Sequence, residues 1–571
     1  MDRFWVGGTG QWDDTNHWST TSGGSGGASV PTANDDVFID QASSVVEVTG
    51  DTHVCHSLRL DNASARIQRP SGGFADLQVV GVLQLLAGES RQMIYTLTAT
   101  GANFDEINIQ ADVITNFCVI NKVGSSTHTI SKLKGNSSTE VYPTINHSSG
   151  TLTFGPSSIG SQELHTFSST GSTTRVITFE ASGEVVIFGS NPEGGNAFDI
   201  DGSNLTVNVP TGNQHIDFVA PAGGLDTTAF SGIPILKFPN MRVLAGGEDM
   251  EFVGMFAKGL TVLSGYTSDL LLDEFSFSTG GFSLPSGMTI TDSSTNITFR
   301  GDTGEDADIT TSGVNMKSVG ITLDAPGQGT SDVRLLDNYN APTSTTTIIR
   351  GNLHLGSGGV PRNYTTGRLV STGTSVRGIN FLSGGVLALK GLSATDIVLT
   401  VDGGILPDNF SLFNTGGSAR ISVDHSTTDA IFQGGGYSYP ELAFDSPTVS
   451  AVLSITGDNT FQDMTAPGSV AKTIQFAAAS TTTFEEFNVN GISGNLISLR
   501  SSNALLSYDF VKNGTGIVSC NYLDIQRSDA SPSTLTWYAG TTSTDSGNNT
   551  GWIFTDPPGS GSATHRMFMV F

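Results

Sequence analysis

The residues best equipped for chemistry in this chain are its carboxylates. Asp105-Glu106, Asp273-Glu274 and Glu485-Glu486 stand as adjacent acidic pairs. Paired Asp or Glu side chains cleave polysaccharides when two carboxyl groups lie about 5 to 9.5 Å apart in a groove. Neighbours on a strand point to opposite faces, so these pairs make poor dyads within one strand. Carboxylates on neighbouring strands could meet, but the sequence does not say which. Asp13-Asp14 and Asp35-Asp36 offer oxygen ligands for calcium. No D-x-D-x-D-G loop or G-G-x-G-x-D repeat accompanies them, so turn capping is the expected role. His53, Cys55 and His56 have a metal-like spacing, yet in a strand the first two share a face that the third opposes. Gly7-Gly8-Thr9-Gly10 and Gly434-Gly435-Gly436 precede no helix with a following Lys-Ser/Thr and read as turns, not phosphate loops. The expectation is no catalytic residue, no metal site and no cofactor.

The elements that would position such residues are strands. In residues 472–555, Ile474 and Phe476 share one strand face, Phe487 and Val489 share another, and Leu496, Ser498 and Arg500 oppose Ile497 and Leu499. Alternation over four to six residues, bounded by Gly, Ser and Asn, marks half-buried strands. Similar runs recur throughout: VVEV at 45–48, LQVVGVLQLL at 77–86, INI at 107–109, LTVNV at 205–209, LKF at 236–238, TIIRGNLHL at 347–355 and IVLTV at 397–401. Phe461-Gln462-Asp463-Met464 and Phe484-Glu485-Glu486-Phe487 repeat one signature 23 residues apart (484 − 461). Related signatures begin at Phe104 and Leu272. A repeat of roughly 20 to 29 residues is one coil of a solenoid, whose apolar face is buried only by stacking on its neighbours. The predicted fold is all-β, a parallel β-helix or β-solenoid with Trp-rich end caps and interrupting lobes.

Composition agrees. Gly accounts for 70 of 571 residues and charged residues for 14%, which disfavours long helices, while 37% apolar content with 32 Phe opposes disorder. Twenty-six basic against 53 acidic residues give a net charge of −27. Such an excess repels nucleic-acid phosphate and anionic membrane surfaces, so neither nucleic-acid binding nor membrane insertion is expected. The three cysteines, Cys55, Cys118 and Cys520, are too few for a disulfide framework and read as buried thiols.

Four parts follow from the patterning: a Trp-rich cap at 1–40, a solenoid body at 41–429, a C-terminal solenoid module and cap at 430–558, and a linker with an apolar tail at 559–571. A solenoid exposes apolar cross-sections at its ends, and large aromatics under a loop plug them cheaply. Trp5, Trp12 and Trp18 are assigned to one plug, and Trp537 and Trp552 to the other. A carbohydrate-stacking platform is the competing reading of the first three. The stretch 22–29, SGGSGGAS, reads as a flexible loop inside the cap, and 35–40 as the first strand entering the stack. Met567, Phe568, Met569, Val570 and Phe571 form a tail that docks either back onto the body or onto a partner; the partner is the expected one, since the preceding linker supplies reach.

Two stretches resemble known modules. FEEFNVNGISGNLISLRSS, VSCNYLDI and TWYAGTTSTDSGNNTGWIFT, within 461–557, resemble a module near the C-terminus of phage virion structural proteins, notably those of marine phages. FWVGGTGQWDDTNHWS followed by VPTANDDVFID, within 4–40, resembles openings found in such proteins and in large bacterial surface adhesins. The matches cover about a quarter of the chain. The resemblance implies a non-enzymatic component on the outside of a virion: a tail fibre, a tail spike or a head-surface projection contributing to host attachment. It implies assembly in the host cytoplasm, with other virion proteins, further copies of the chain (a trimer) and a host surface glycan or receptor as partners. The start of the sequence lacks the apolar core of a signal peptide, consistent with that expectation. A virion-borne polysaccharide depolymerase and a bacterial adhesin are the alternatives.

Overall fold

The computed structural model describes all residues except 51–52, 71–73, 101–103, 116, 136–140, 156–160, 181–183, 188–197, 210–214, 220–225, 232–237, 245–249, 254–255, 258, 265, 267–268, 274–275, 278–280, 291–295, 301–305, 325–331, 374, 394, 402–409, 415–417, 426–428, 535 and 559–571. Among the described residues the regular structure is β, apart from one 3-10 turn at Thr15–His17. The strands pair in parallel with the strands of the next coil, which is the predicted β-solenoid. The chain divides into two compact units, Met1–Thr291 and Asp292–Phe571.

In the first unit, one sheet stacks eleven strands from His53–Cys55 to Thr289–Ile290. A second face runs through Asp36–Ile39, Ser57–Gln68, Leu83–Arg91, Phe104–Ile109 and Thr127–Leu133 to Leu205–Asn208. Alternation decides what enters the core. Ile39, Leu60, Leu85, Ile109 and Leu133 face one another in register on five successive coils, and all five are fully buried. Each such side chain contributes roughly 1.5–3 kcal/mol by leaving water. The second unit repeats the device with a ladder of Tyr339, Tyr364, Leu387, Ile421, Leu442, Met464 and Phe487. Stacking identical faces at strand spacing lets rings lie flat on rings, as Tyr339 and Tyr364 do with centroids 5.1 Å apart.

The 23-residue period is real where the signature predicts it, because Phe461 faces Phe484 in register and Met464 faces Phe487. The other two copies do not stack on one another: strand Phe104–Ile109 begins opposite Thr127, and Leu272 faces Phe252. Coil length varies instead of holding at one value. Leu58 faces Leu83, a coil of 25 (83 − 58), and Val386 faces Arg420, a coil of 34 (420 − 386). Corners on the surface accept extra residues at little cost, whereas strands must stay in register. The run 77–86 is two strands, Ala75–Val79 and Leu83–Arg91, because its apolar residues continue around a corner. LKF at 236–238 falls partly outside the described residues.

Candidate functional site

At the N-terminal end, Trp5, Trp12 and Trp18 have no exposed surface. They are packed edge to face, with ring centroids 5.0 Å apart for Trp5–Trp18 and for Trp12–Trp18. The imidazole of His17 stacks on Trp5 at 4.7 Å. Two of the three buried indole N–H groups have acceptors, Trp18 Nε1 donating to Trp12 O at 2.6 Å and Trp5 Nε1 to Gly7 O at 3.1 Å, while Trp12 Nε1 is buried without one. No ring face is left for a sugar. The first strand is Asp2–Trp5, ahead of the expected one. It pairs in parallel with Asp36–Ile39, and the short Trp18–Ser19 pairs antiparallel on its outer edge. An antiparallel edge strand is a means of ending a parallel stack.

The 22–29 stretch is tied down and is not a free loop. Gly27 N donates to Thr15 O and Ala28 N to Trp18 O, each at 2.9 Å, and Arg3 Nη2 donates to Ser29 Oγ at 2.9 Å. Gly26 is required there, since a Cβ would lie 1.8 Å from Asn16 O. The acidic pairs of this region cap turns. Asp14 Oδ1 accepts from Asn16 N at 2.9 Å. Asp35 Oδ2 accepts from Thr32 N at 2.9 Å and from Thr32 Oγ1 at 2.6 Å. Cys55 is buried, His53 tilts against Trp12 at 6.1 Å, and His56 Nδ1 meets Asp36 Oδ1 at 2.8 Å. The three do not converge, and among the described residues no group of three or more His, Cys, Asp or Glu is placed to hold a metal ion.

At the C-terminal end, Trp537 and Trp552 face each other on adjacent parallel strands, with centroids 5.1 Å apart. Phe484, Phe487 and Phe510 pack around Trp537, completing an aromatic plug. Trp537 Nε1 donates to Ser531 O and Trp552 Nε1 to Ser528 Oγ, each at 3.0 Å. Cys118 and Cys520 are also buried free thiols, their ionisation suppressed by burial. The tail, Met567 to Phe571, lies outside the described residues.

The acidic pairs divide. Asp105 shares the inward face with Ile107, while Glu106 points outward and accepts from Gln84 Nε2 at 2.6 Å, so alternation holds there. It fails at Glu485-Glu486, where both side chains are exposed. The chain bends between Phe484 and Phe487, whose rings both turn inward 5.0 Å apart. The F-x-x-F signature is therefore a corner, and its two polar residues form the outside of the bend. Glu274 lies outside the described residues.

Bending brings carboxylates of successive coils together, which sequence alone could not assign. Asp463 faces Glu486, and Glu441 lies one coil earlier, beside Leu442, which faces Met464. Partial burial, and then the Glu441 and Glu486 charges, hold the Asp463 carboxyl above its usual range. Each member has a partner. Asn488 Nδ2 donates to both oxygens of Asp463 at 3.0 and 2.9 Å, Thr465 Oγ1 donates to Glu441 at 2.6 Å, and Lys512 Nζ stands 3.7 Å from Glu486.

Among the described residues, ion pairs link successive coils. Arg66–Glu89 at 2.6 Å, Arg334–Asp308 at 2.9 Å, Arg350–Asp324 at 2.7 Å and Arg368–Asp396 at 3.1 Å each join one coil to the next. Half-exposed pairs add less than about 1 kcal/mol each, but they penalise a slipped register.

Sequence reasoning missed a set of basic residues facing inward. Lys122, Lys472 and Lys512 are buried, as are Arg175 and Arg377. Lys472 Nζ donates to Phe444 O and Ser446 O, both at 3.0 Å, one coil before it. These cations satisfy main-chain carbonyls where the chain turns a corner. Their signal was present: Lys122, His128 and His147 occupy inward positions in their own alternations.

The stacked parallel strands define a β-solenoid. Compared with protein-family models, curated proteins and solved structures, the chain gives no significant match to any of them.

Proposed function

We propose that this chain is a structural component of the outside of a phage particle, a tail fibre, tail spike or head-surface projection that contributes to host attachment. Other virion proteins and further copies of the chain are its partners, and the Met567–Phe571 tail is a docking element. The observation that supports this reading is the stretch that carries the virion-protein resemblance. Residues 461–557 fold as the last coils of a solenoid and their aromatic plug, with Phe461 seated on Phe484. A stacked β-fold resists unfolding and proteolysis outside a cell, a requirement of any exposed projection. Mass spectrometry of purified particles tests the reading, followed by imaging of particles labelled on this chain. The expected result is the chain at stoichiometric abundance on the particle exterior. Its presence on the bacterial cell envelope, with none in particles, would support the adhesin reading instead.

The Glu441–Asp463–Glu486 row favours one alternative, a polysaccharide depolymerase, because carboxylates on adjacent coils approach the spacing of a retaining pair. A reducing-sugar assay on host capsule separates the two. The structural reading expects no release; release that is lost in Asp463→Asn would overturn it.

A further inference from the structure

One corner of the first unit is built from groups that are ordinarily kept in water. Between strands Cys118–Lys122 and Thr127–Leu133 the chain turns through Gly124 and Ser126. The next coil turns between Thr144–His147 and Gly150–Phe154, and the one after between Phe167–Ser169 and Arg175–Phe179. Lys122, His147 and Ser169 occupy one in-register column across these three coils. Lys122, His128 and Arg175 have no exposed surface, and His147 is 1% exposed.

Their partners are neutral oxygens. Lys122 Nζ donates to Gly124 O and to Ser149 O. His128 Nε2 lies 3.2 Å from Gly81 O, and its Nδ1 lies 3.4 Å from Ser126 Oγ. His147 Nε2 lies 2.9 Å from Gly150 O, and its Nδ1 lies 3.2 Å from Ser169 Oγ. Arg175 donates to the carbonyls of Ser169, Gly171, Asp201 and Ser203. The corner requires glycine at Gly150, where φ is +74° and a Cβ would stand 2.7 Å from Lys122 Nζ.

Among the described residues, the charged groups around the two imidazoles are few. His128 faces Asp105 in register on the coil before it and Leu152 on the coil after it, with Lys122 beside it. His147 has Lys122 on one side and Arg175 on the other. Asp105 is the facing carboxylate, also sensed by His56 and Lys122, and its Oδ2 is buried without a hydrogen-bond partner.

We propose that this corner is an acid-triggered release: protonation of His128 and His147 beside Lys122 and Arg175 opens the coils 118–179 while Asp292–Phe571 stays folded. Burial comes first among the causes that push both imidazoles down from 6.5 to about 4, followed by Lys122 for His128; for His147, Lys122 and Arg175 add to burial against the pull of the Gly150 carbonyl. A histidine whose pKa is lowered by folding contributes stability that is complete above its unfolded value, near 6.5. That contribution drains away as pH falls toward 4. Asp105 works against the change: burial raises its carboxyl, so its protonation on acidification favours the folded corner, and the two imidazoles must outweigh it. The second unit gains in the same way where Asp463 and Asp509 are concerned, because raised carboxyls are relieved by protonation.

Hydrogen exchange and limited proteolysis of the full chain at about pH 7 and about pH 4.5 test the proposal. The expected result is loss of protection confined to 118–179 at the lower pH, with each histidine raising the open fraction by on the order of tenfold to a hundredfold. His128→Gln with His147→Gln should abolish most of that pH response. Lys122→Met is a second route that keeps both imidazoles: removing the neighbouring charge should move the opening to lower pH. Equal exposure of both units in acid would overturn the proposal. So would a glutamine double variant that opens as the parent does, or a Lys122→Met variant with an unshifted midpoint.

Discussion

Replacing Trp18 with alanine is expected to destabilise the N-terminal coils by about 3–5 kcal/mol, the range for removing a fully buried large aromatic. Trp18 touches both other indoles of the plug, donates its N–H to Trp12 O and pairs its backbone with Trp5. Its loss opens a cavity and frees the antiparallel edge strand together. Asp2–Trp5 would then present an unpaired edge, and the chain should aggregate more readily. Urea titration followed by tryptophan fluorescence, with hydrogen exchange across 2–39, measures the effect. Trp18→Phe should recover part of the loss. A shift below about 1 kcal/mol would mean that the indoles are not what ends the stack.

The second large effect is expected at Arg175. Arg175→Met keeps much of the side-chain volume but leaves the carbonyls of Ser169, Gly171, Asp201 and Ser203 without their common donor. An unsatisfied buried acceptor costs about 1–3 kcal/mol, so losing several at once should cost roughly 3–5 kcal/mol after local relaxation. Arg175→Lys should restore part of it, since one ammonium reaches fewer carbonyls than a guanidinium fork. Protection of Phe167–Ser169 and Phe198–Asp201 reports the change. A methionine variant as stable as the parent would show that these carbonyls find other partners.

Both effects bear on what could be read in advance. The solenoid was legible because its core is made of repeated alternations, and one stacking register, Phe461 on Phe484, was legible from a recurring string. The indole plugs were legible because five Trp cluster at the two ends of an otherwise Trp-free chain. Coil lengths were not legible, since corners absorb insertions without disturbing the strands. Nor were Lys122, His128, His147 and Arg175 as core residues, because a polar side chain at an inward position is ordinarily taken as a break in the pattern. Their acceptors are main-chain carbonyls of other coils, which become neighbours only once the register is known. Glu485 and Glu486 misled in a similar way: strand geometry puts them on opposite faces, and a bend inside the strand puts both outside.

Excision of a single coil tests the central claim most directly. Removing residues 461–483 joins Thr460 to Phe484, and Thr460 already faces Thr483 in register. Changing Ile497 to Lys in the same chain restores an amine at the position that faced Lys472. A solenoid should accept this deletion and unfold as cooperatively as the parent, because each coil contacts only its neighbours. Removing 474–497 instead joins Thr473 to Ser498, which it faces in register, and so slips one residue in the middle of a strand; this should destabilise the chain strongly, since a one-residue slip turns inward side chains outward. Equal behaviour of the two deletions in a urea titration would contradict the account.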